Sequence, residues 1–268
     1  YSFLGGDPFL RVEAFDREFI LKYPDGREER RIVADPLREL GEILQRYSAA
    51  PVPGLPRFLG GAVGYAAYDV VRYSERLPNP PQDDPHLPDL SFAFYDQMIV
   101  FDNIRKTVLV VAHARGDAED LAAEYRQQCA RVDALCQRLQ GTAAELTMPD
   151  VVPASGTEGN FQSNFTEAEF CAAVLHCQEY IKAGDIFQVV ISQRLQTETT
   201  ATPLDVYRAL RIVNPSPFMF LLQTPQATLV GSSPEIMVRV DDGETTIRPL
   251  AGTRKRGLSE AADRALAE

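Results

Sequence analysis

The residue types best suited to chemistry gather in the stretch Leu229–Gly257, LVGSSPEIMVRVDDGETTIRPLAGTRKRG. Two apolar runs of alternating pattern, around Ile236–Val240 and Thr245–Leu250, flank Asp241-Asp242-Gly243. Alternation on both sides of an Asp-Gly turn is a strong short-range signal for a hairpin. Polar turns bracket it: Ser232-Ser233-Pro234-Glu235 before, Ala251-Gly252-Thr253 and then Arg254-Lys255-Arg256 after. Small residues, a hydroxyl and three cations on one stiff ribbon suit an anion. The same pattern also describes a surface hairpin with a solvated basic tip, and short motifs often recur without function.

Other reactive groups give weaker signals. Cys129 and Cys136 are seven apart, and Cys171 and Cys177 six apart, all inside helical patterns. Neither spacing is CxxC and no His stands at a zinc-like interval, so buried thiols are the expectation. His86, His113 and His176 are isolated from one another and from any triad-like Ser or Cys, and receive no catalytic role. The glycines of GGAVG (60–64) lack the Lys-Ser/Thr of a P-loop and the full GxGxxG. Glycines that let a strand pass close to another backbone explain them better.

The elements that must position these groups follow from periodicity. Phe9–Phe15 and Arg17–Tyr23 alternate like strands before the turn Pro24-Asp25-Gly26. Asp35-Pro36 starts a helix with Leu37, Leu40, Ile43, Leu44 and Tyr47 on one face. Pro78–Pro88 is a proline- and acid-rich loop, and Phe94–Phe101 with Thr107–Ala112 predict a second hairpin across Asp102-Asn103. Asp117–Leu139 is a long amphipathic helix whose face of Leu121, Tyr125, Val132, Leu135 and Leu139 is expected in the core. Residues 141–160 form a small, polar linker with Pro149 and Pro153. Beyond it, Thr166 and Glu169 make a capping box, and Gly184 suits the C-terminal cap of that helix. Ile186–Leu195, which includes Gln188, is an apolar strand rich in β-branched residues. Thr202-Pro203 opens a helix ending near Val213, and the turn Asn214-Pro215-Ser216-Pro217 precedes the strand Phe218–Leu222. Helices and hairpins interleave without a βαβ rhythm, which predicts an α+β architecture.

Composition limits the function. A 268-residue chain with 45% hydrophobic and 24% charged residues is an ordinary globular protein of one large or two smaller domains. The net charge of −11 argues against a nucleic-acid partner, which requires a basic face. No run approaches the ~18 apolar residues of a membrane span. No N-terminal stretch reads as a signal peptide, so a cytoplasmic location is expected. The chain starts at Tyr1 and stops at Glu268 inside the helical pattern SEAADRALAE, as a piece of a longer polypeptide would.

The ordered string YSFLGG, FLGGAVGYAAYDVVRYSERLP, AGDIFQVVISQR, NPSPFMFLL, LVGSSPEIMVRV and IRPLAGTRKRG resembles the chorismate-utilising enzymes. Among these it is most similar to the large subunit (component I) of anthranilate synthase. The resemblance spans nearly the whole chain and implies the family's α+β fold, a helix-flanked β-sandwich, here incomplete on its C-terminal side. It also implies an N-terminal domain at 1–140, the linker at 141–160 and the first part of a chorismate-binding domain at 161–268. Chorismate is a dicarboxylate, bound in the family with Mg²⁺ held by two glutamates. Gly252 and Thr253 match the family's substrate-contacting pair, where glycine allows close approach and hydroxyl and N–H groups donate to an anion. Arg254, Lys255 and Arg256 would add positive potential.

Two positions separate the family's members. Those that add water to chorismate carry a lysine where this chain has Gln188; an amide cannot deprotonate water, so ammonia is the implied nucleophile. Aminodeoxychorismate synthases commonly carry a nucleophilic lysine where this chain has Ala251. Both point to anthranilate synthase. Pro217, Phe218 and Met219 match the turn that binds the feedback inhibitor L-tryptophan, with Phe218 replacing the commoner tyrosine. The family's metal glutamates and catalytic histidine are expected beyond Glu268, so this chain alone is expected to be inactive. The resemblance further implies a glutamine amidotransferase subunit as the source of ammonia. The rival readings are an aminodeoxychorismate or aminodeoxyisochorismate synthase component and a non-catalytic, tryptophan-binding regulatory chain.

Overall fold

A computed structural model describes residues 1–141, 159–249 and 255–267. The chain divides into two compact units, Tyr1–Met148 with Leu222–Ala227, and Pro149–Leu221 with Thr228–Glu268. Of the linker expected at 141–160, residues 142–158 lie outside the described residues. Among the described residues no helix is long and apolar enough to cross a membrane.

The first unit runs β1 (Ser2–Leu4), β2 (Leu10–Phe15), β3 (Glu18–Lys22), β4 (Glu28–Ile32), α1 (Pro36–Leu44), β5 (Gly61–Ala66), a 3-10 helix (Tyr68–Tyr73), β6 (Leu90–Tyr95), β7 (Gln97–Asp102), β8 (Thr107–Ala112) and α2 (Leu121–Gln140). These strands form a five-stranded sheet in the order β4-β3-β2-β6-β5 and a three-stranded sheet in the order β1-β7-β8. Every pairing in both is antiparallel. In the larger sheet Val12 lies opposite Leu21 and Phe92, and Ala14 opposite Phe19 and Leu90. The period of two therefore places Leu10, Val12, Ala14, Phe19, Leu21, Leu90 and Phe94 on one face, where Leu40 and Ile43 of α1 close the core. Asp35 fixes the start of α1 by accepting from the Leu37 and Arg38 amides at 3.0 and 3.2 Å, with Pro36 in the first turn. Gly64 sits opposite Phe92, and a Cβ there would strike the Ser91 carbonyl and the Phe92 Cα. This is the close backbone approach expected of the glycine-rich stretch.

Three expectations change, the last of them in both units. The run Phe94–Phe101 is not one hairpin arm; it divides at Asp96 between the two sheets. The Asp96 carboxylate takes both guanidinium nitrogens of Arg131 at 2.8 and 2.9 Å, and its carbonyl accepts the His113 amide at 2.8 Å. Those distant partners fix the break. The β7–β8 hairpin does form, and Asp102 closes it by accepting from the Arg105 and Ile104 amides at 2.9 and 3.0 Å. Those donors hold its carboxyl below the ordinary value. Helix α2 starts at the Asp120 cap, and its apolar face is only partly covered: Leu121, Tyr125 and Leu139 are exposed, while Val132 and Leu135 are half-buried. The residue it buries is Gln128, bonded to Glu124 at 3.0 Å and Arg131 at 2.7 Å. Nor are the thiols buried, since Cys129 and Cys171 are exposed and Cys136 and Cys177 half-buried.

The second unit contains β9 (Gln162–Ser163), α3 (Glu167–Ala183), β10 (Leu195–Gln196), α4 (Pro203–Val213), β11 (Phe218–Gln223), β12 (Thr228–Ser233), β13 (Arg239–Asp241), β14 (Glu244–Thr246) and α5 (Glu260–Ala267). The last residues of β11 and the turn after them belong to the first unit. The predicted capping box is complete: Thr166 Oγ1 accepts the Glu169 amide at 3.3 Å, and Glu169 Oε2 accepts the Thr166 amide at 2.8 Å. Gly184 ends α3 in the left-handed conformation at φ 83°. Thr202 caps α4 through the Asp205 amide at 3.2 Å. Asp242 and Gly243, at φ 50° and 81°, form the two-residue turn of the β13–β14 hairpin, although only three residues pair on each side.

The strand expected over Ile186–Leu195 is a correction. Only Leu195, with Gln196, joins a ladder, against Gln162–Ser163; the stretch before it has no regular structure. Strand-forming side chains do not suffice when the backbone N–H and C=O groups lack a neighbouring strand.

Candidate functional site

The best-defined candidate region joins the end of α4 to β11 and β12. Pro215 has no N–H to extend α4, and the Asn214 amide makes the closing bond to the Leu210 carbonyl at 2.9 Å. The chain then turns through Pro217 and enters β11 at Phe218. β12 returns beside β11, and the Ser232 hydroxyl donates to the Asn214 carbonyl at 2.6 Å. That bond fastens the turn Asn214–Pro217 to the end of β12. Next along, the Ser233 hydroxyl donates to the Glu235 carbonyl at 3.0 Å and bends the chain at Pro234. Between the strands, a Cβ on Gly231 would strike the Phe220 ring, so glycine is what lets this aromatic lie across β12. Two motifs separate in sequence, NPSPFMF and LVGSSPE, thus build one corner. At this corner Pro217 and Phe218 are exposed and Met219 is half-buried. As consecutive residues of β11, Phe218 and Met219 send their side chains to opposite faces of the strand, so the exposed Phe218 ring is what the corner presents to a flat apolar group.

The remaining expected site residues are not gathered there in the described structure. Gln188 is exposed in the irregular stretch after Gly184. Ala251, Gly252, Thr253 and Arg254 lie outside the described residues. Lys255 is exposed, while Arg256 pairs with Asp263 of α5 at 2.7 Å, and the other Asp263 oxygen accepts the Gly257 amide at 2.7 Å. Arg256 therefore helps to hold the start of α5 as well as supplying charge. Among the described residues no group of three or more His, Cys, Asp or Glu side chains is placed to hold a metal ion. His113 Nε2 lies 3.2 Å from the Leu59 carbonyl, and His176 Nε2 lies 2.9 Å from the Tyr180 hydroxyl. Sequence reasoning missed the role of Ser232. A serine pair before a proline indicates a turn, but nothing local names Asn214 as the partner.

Residues 10–268 match the family model described as chorismate binding enzyme. The chain is 38% identical over 270 residues to anthranilate synthase component 1 of Acetivibrio thermocellus, covering 99% of this chain and 54% of that protein. To the component 1 of Pseudomonas aeruginosa it is 41% identical over 268 residues, again covering 99% and 54%. Among solved structures, anthranilate synthase component I from Streptococcus pneumoniae TIGR4 matches with a TM-score of 0.76 at 27% identity, over 92% of this chain and 53% of that one. The chain spans about half the length of the curated relatives it matches. The mixed helix-and-sheet fold described above is that of the component I structure, in part. With the family model covering nearly its whole length, this chain belongs to the chorismate-binding enzyme family.

Proposed function

We propose that this chain is part of an anthranilate synthase component I, which converts chorismate and ammonia to anthranilate, pyruvate and water. Ammonia adds to the ring as the ring hydroxyl leaves, and loss of the enolpyruvyl side chain as pyruvate makes the ring aromatic. The observation that carries the reading is identity of 38% and 41% over 99% of the chain to proteins of that name. Gln188 supports it chemically, because a neutral amide cannot take a proton from water and leaves ammonia as the nucleophile. Ala251 supports it by excluding a lysine nucleophile at that position.

Gly252 and Thr253 are assigned to the substrate. Pro217, Phe218 and Met219 are assigned to feedback inhibition by L-tryptophan, for which Phe218 at the corner of α4, β11 and β12 offers a partly exposed aromatic. A glutamine amidotransferase subunit is the proposed ammonia source, Mg²⁺ the cofactor of the whole protein, and the cytoplasm its location. The 268-residue chain, about half the length of its relatives, is proposed to be inactive alone.

The test is a product assay on the complete protein with chorismate, ammonium and Mg²⁺, with products separated by chromatography and anthranilate followed by fluorescence. Anthranilate with equimolar pyruvate is expected, falling on addition of L-tryptophan. An amino product that keeps its enolpyruvyl group would replace this reading with an aminodeoxychorismate or aminodeoxyisochorismate synthase. No product at all would favour a non-catalytic regulatory chain. Turnover by the 268-residue chain would refute its inactivity.

A further inference from the structure

The five-stranded sheet has a second face, opposite the one that α1 covers, and a charged residue lies buried on it. Register places Ile20, Glu13, Ser91 and Tyr65 in one row across β3, β2, β6 and β5. Ile20 is 2% exposed and Glu13 only 1%. One carboxylate oxygen of Glu13, Oε2, accepts from Lys22 Nζ at 2.7 Å and from Gln226 Nε2 at 3.0 Å. Lys22 reaches this pair from the rim, with its side chain 31% exposed. Gln226 comes from the distant segment Leu222–Ala227, which clusters with the first unit. That turn is braced internally: Thr224 Oγ1 donates to the Ala227 carbonyl at 2.8 Å and accepts the Ala227 amide at 3.0 Å.

Two buried atoms in this row have no hydrogen-bond partner, Glu13 Oε1 and the Tyr65 hydroxyl. One can only accept and the other can donate. Their backbones lie two strand spacings apart, about 9–10 Å, with the small Ser91 between them. Burial, followed by the negative charges of Glu13 and Asp89, raises the pKa of Tyr65 and keeps it protonated. A surface ion pair with Lys22 would not require Glu13 to be buried. Hydrophobic residues fill such positions at lower cost, and a buried carboxylate is tolerated where donors of fixed geometry meet it.

We infer that Glu13 is a positioning residue, a buried anionic anchor that seats the Leu222–Ala227 turn on the second face of this sheet, with the Tyr65 hydroxyl completing the site through one buried water. The carboxylate selects a segment that brings a donor, and so fixes which residue of the turn docks there. Replacing the anchor frees the turn without dissolving the sheet, because the opposite face retains its apolar core.

Hydrogen exchange in the complete protein tests this, comparing peptides over Leu222–Ala227 with peptides over β2 and β6. Gln226→Glu sets a like charge against Glu13 and is expected to speed exchange in the turn by about tenfold, the worth of a charge-assisted bond, with β2 and β6 unchanged. Glu13→Gln speeds it less, and Tyr65→Phe least. Combining Glu13→Gln with Gln226→Glu exchanges the two groups and restores protection. Unchanged exchange in Gln226→Glu would overturn the proposal. So would acceleration shared equally by β2 and β6, or failure of the exchanged pair to recover. Gln226 is exposed, so the Gln226→Glu measurement stands even if variants at Glu13 do not fold.

Discussion

The two units differ in what holds them. Every buried apolar residue among the described positions lies in the first unit, and no described residue of the second unit is buried. The first unit is a set of strands ordered by long-range pairing around Phe19, Leu90 and Phe94. In the second, large apolar side chains outside its helices are exposed in this chain, among them Phe187 at 92% and Val190 and Met237 at 84%. The starts of α3 and α4 are specified by capping bonds between residues three apart. The described strands of the second unit pair only two by two.

The contrast can be broken most directly at two phenylalanines. Phe94→Ala empties a fully buried site and is expected to cost about 3–5 kcal/mol in urea unfolding. Phe187→Ala, at an exposed site, is expected to stay within about 0.5 kcal/mol. A large cost at Phe187 would mean that the second unit has an enclosed core after all. Next in size, Gly64→Ala drives a methyl into the Ser91 carbonyl and is expected to cost at least about 1–3 kcal/mol, read as a lowered midpoint with the β5 edge exchanging first.

Smaller effects sharpen the second unit. Thr166→Ala removes the hydroxyl arm of the capping box, while the residue 166 amide can still donate to Glu169, and is expected to cost about 1 kcal/mol, seen as faster exchange in the first turn of α3 with β2 unaffected. The smallest effect is with pH. The Thr166 amide and hydroxyl lower the Glu169 pKa, and the Thr202 hydroxyl, ahead of Arg208, lowers that of Asp205. A carboxyl whose folded pKa is depressed stabilises fully above its ordinary value, 4.5 for Glu169 and 3.8 for Asp205. That stability is lost as pH falls through the lowered values. Exchange at the N-termini of α3 and α4 should therefore accelerate on acidification below those values, and Glu169→Gln should abolish the pH dependence for α3.

Legibility follows the same division. The Asp35 and Thr202 caps, the Thr166–Glu169 box, the Gly184 cap and the Asp242-Gly243 turn could all be read, because donor and acceptor sit in one short window. The strands β2 and β3 were legible from alternation, and so was a hairpin ending in β8, though alternation starts its first arm at Phe94 and not at Gln97. The apolar face of α2 misled, because periodicity says which side is apolar and not whether anything covers it. The candidate corner was legible only as motifs. NPSPFMF and LVGSSPE stood out, while the Ser232–Asn214 bond that joins them spans eighteen residues and carries no local mark.

The sequence by itself pointed to the family, the helix starts at Asp35, Thr166 and Thr202, the stop at Gly184 and the Asp242-Gly243 turn, because those depend on residue order and on contacts a few positions apart. Only the tertiary structure decided that the chain breaks at Asp96 to feed two sheets, that Ile186–Leu195 forms almost no strand, and that Glu13 is buried beneath Gln226. Asp96 is held by Arg131, thirty-five residues away, and Glu13 by a side chain 213 residues away. Such choices rest on which distant groups satisfy a buried charge or an open backbone edge, and that is settled only when the chain is folded.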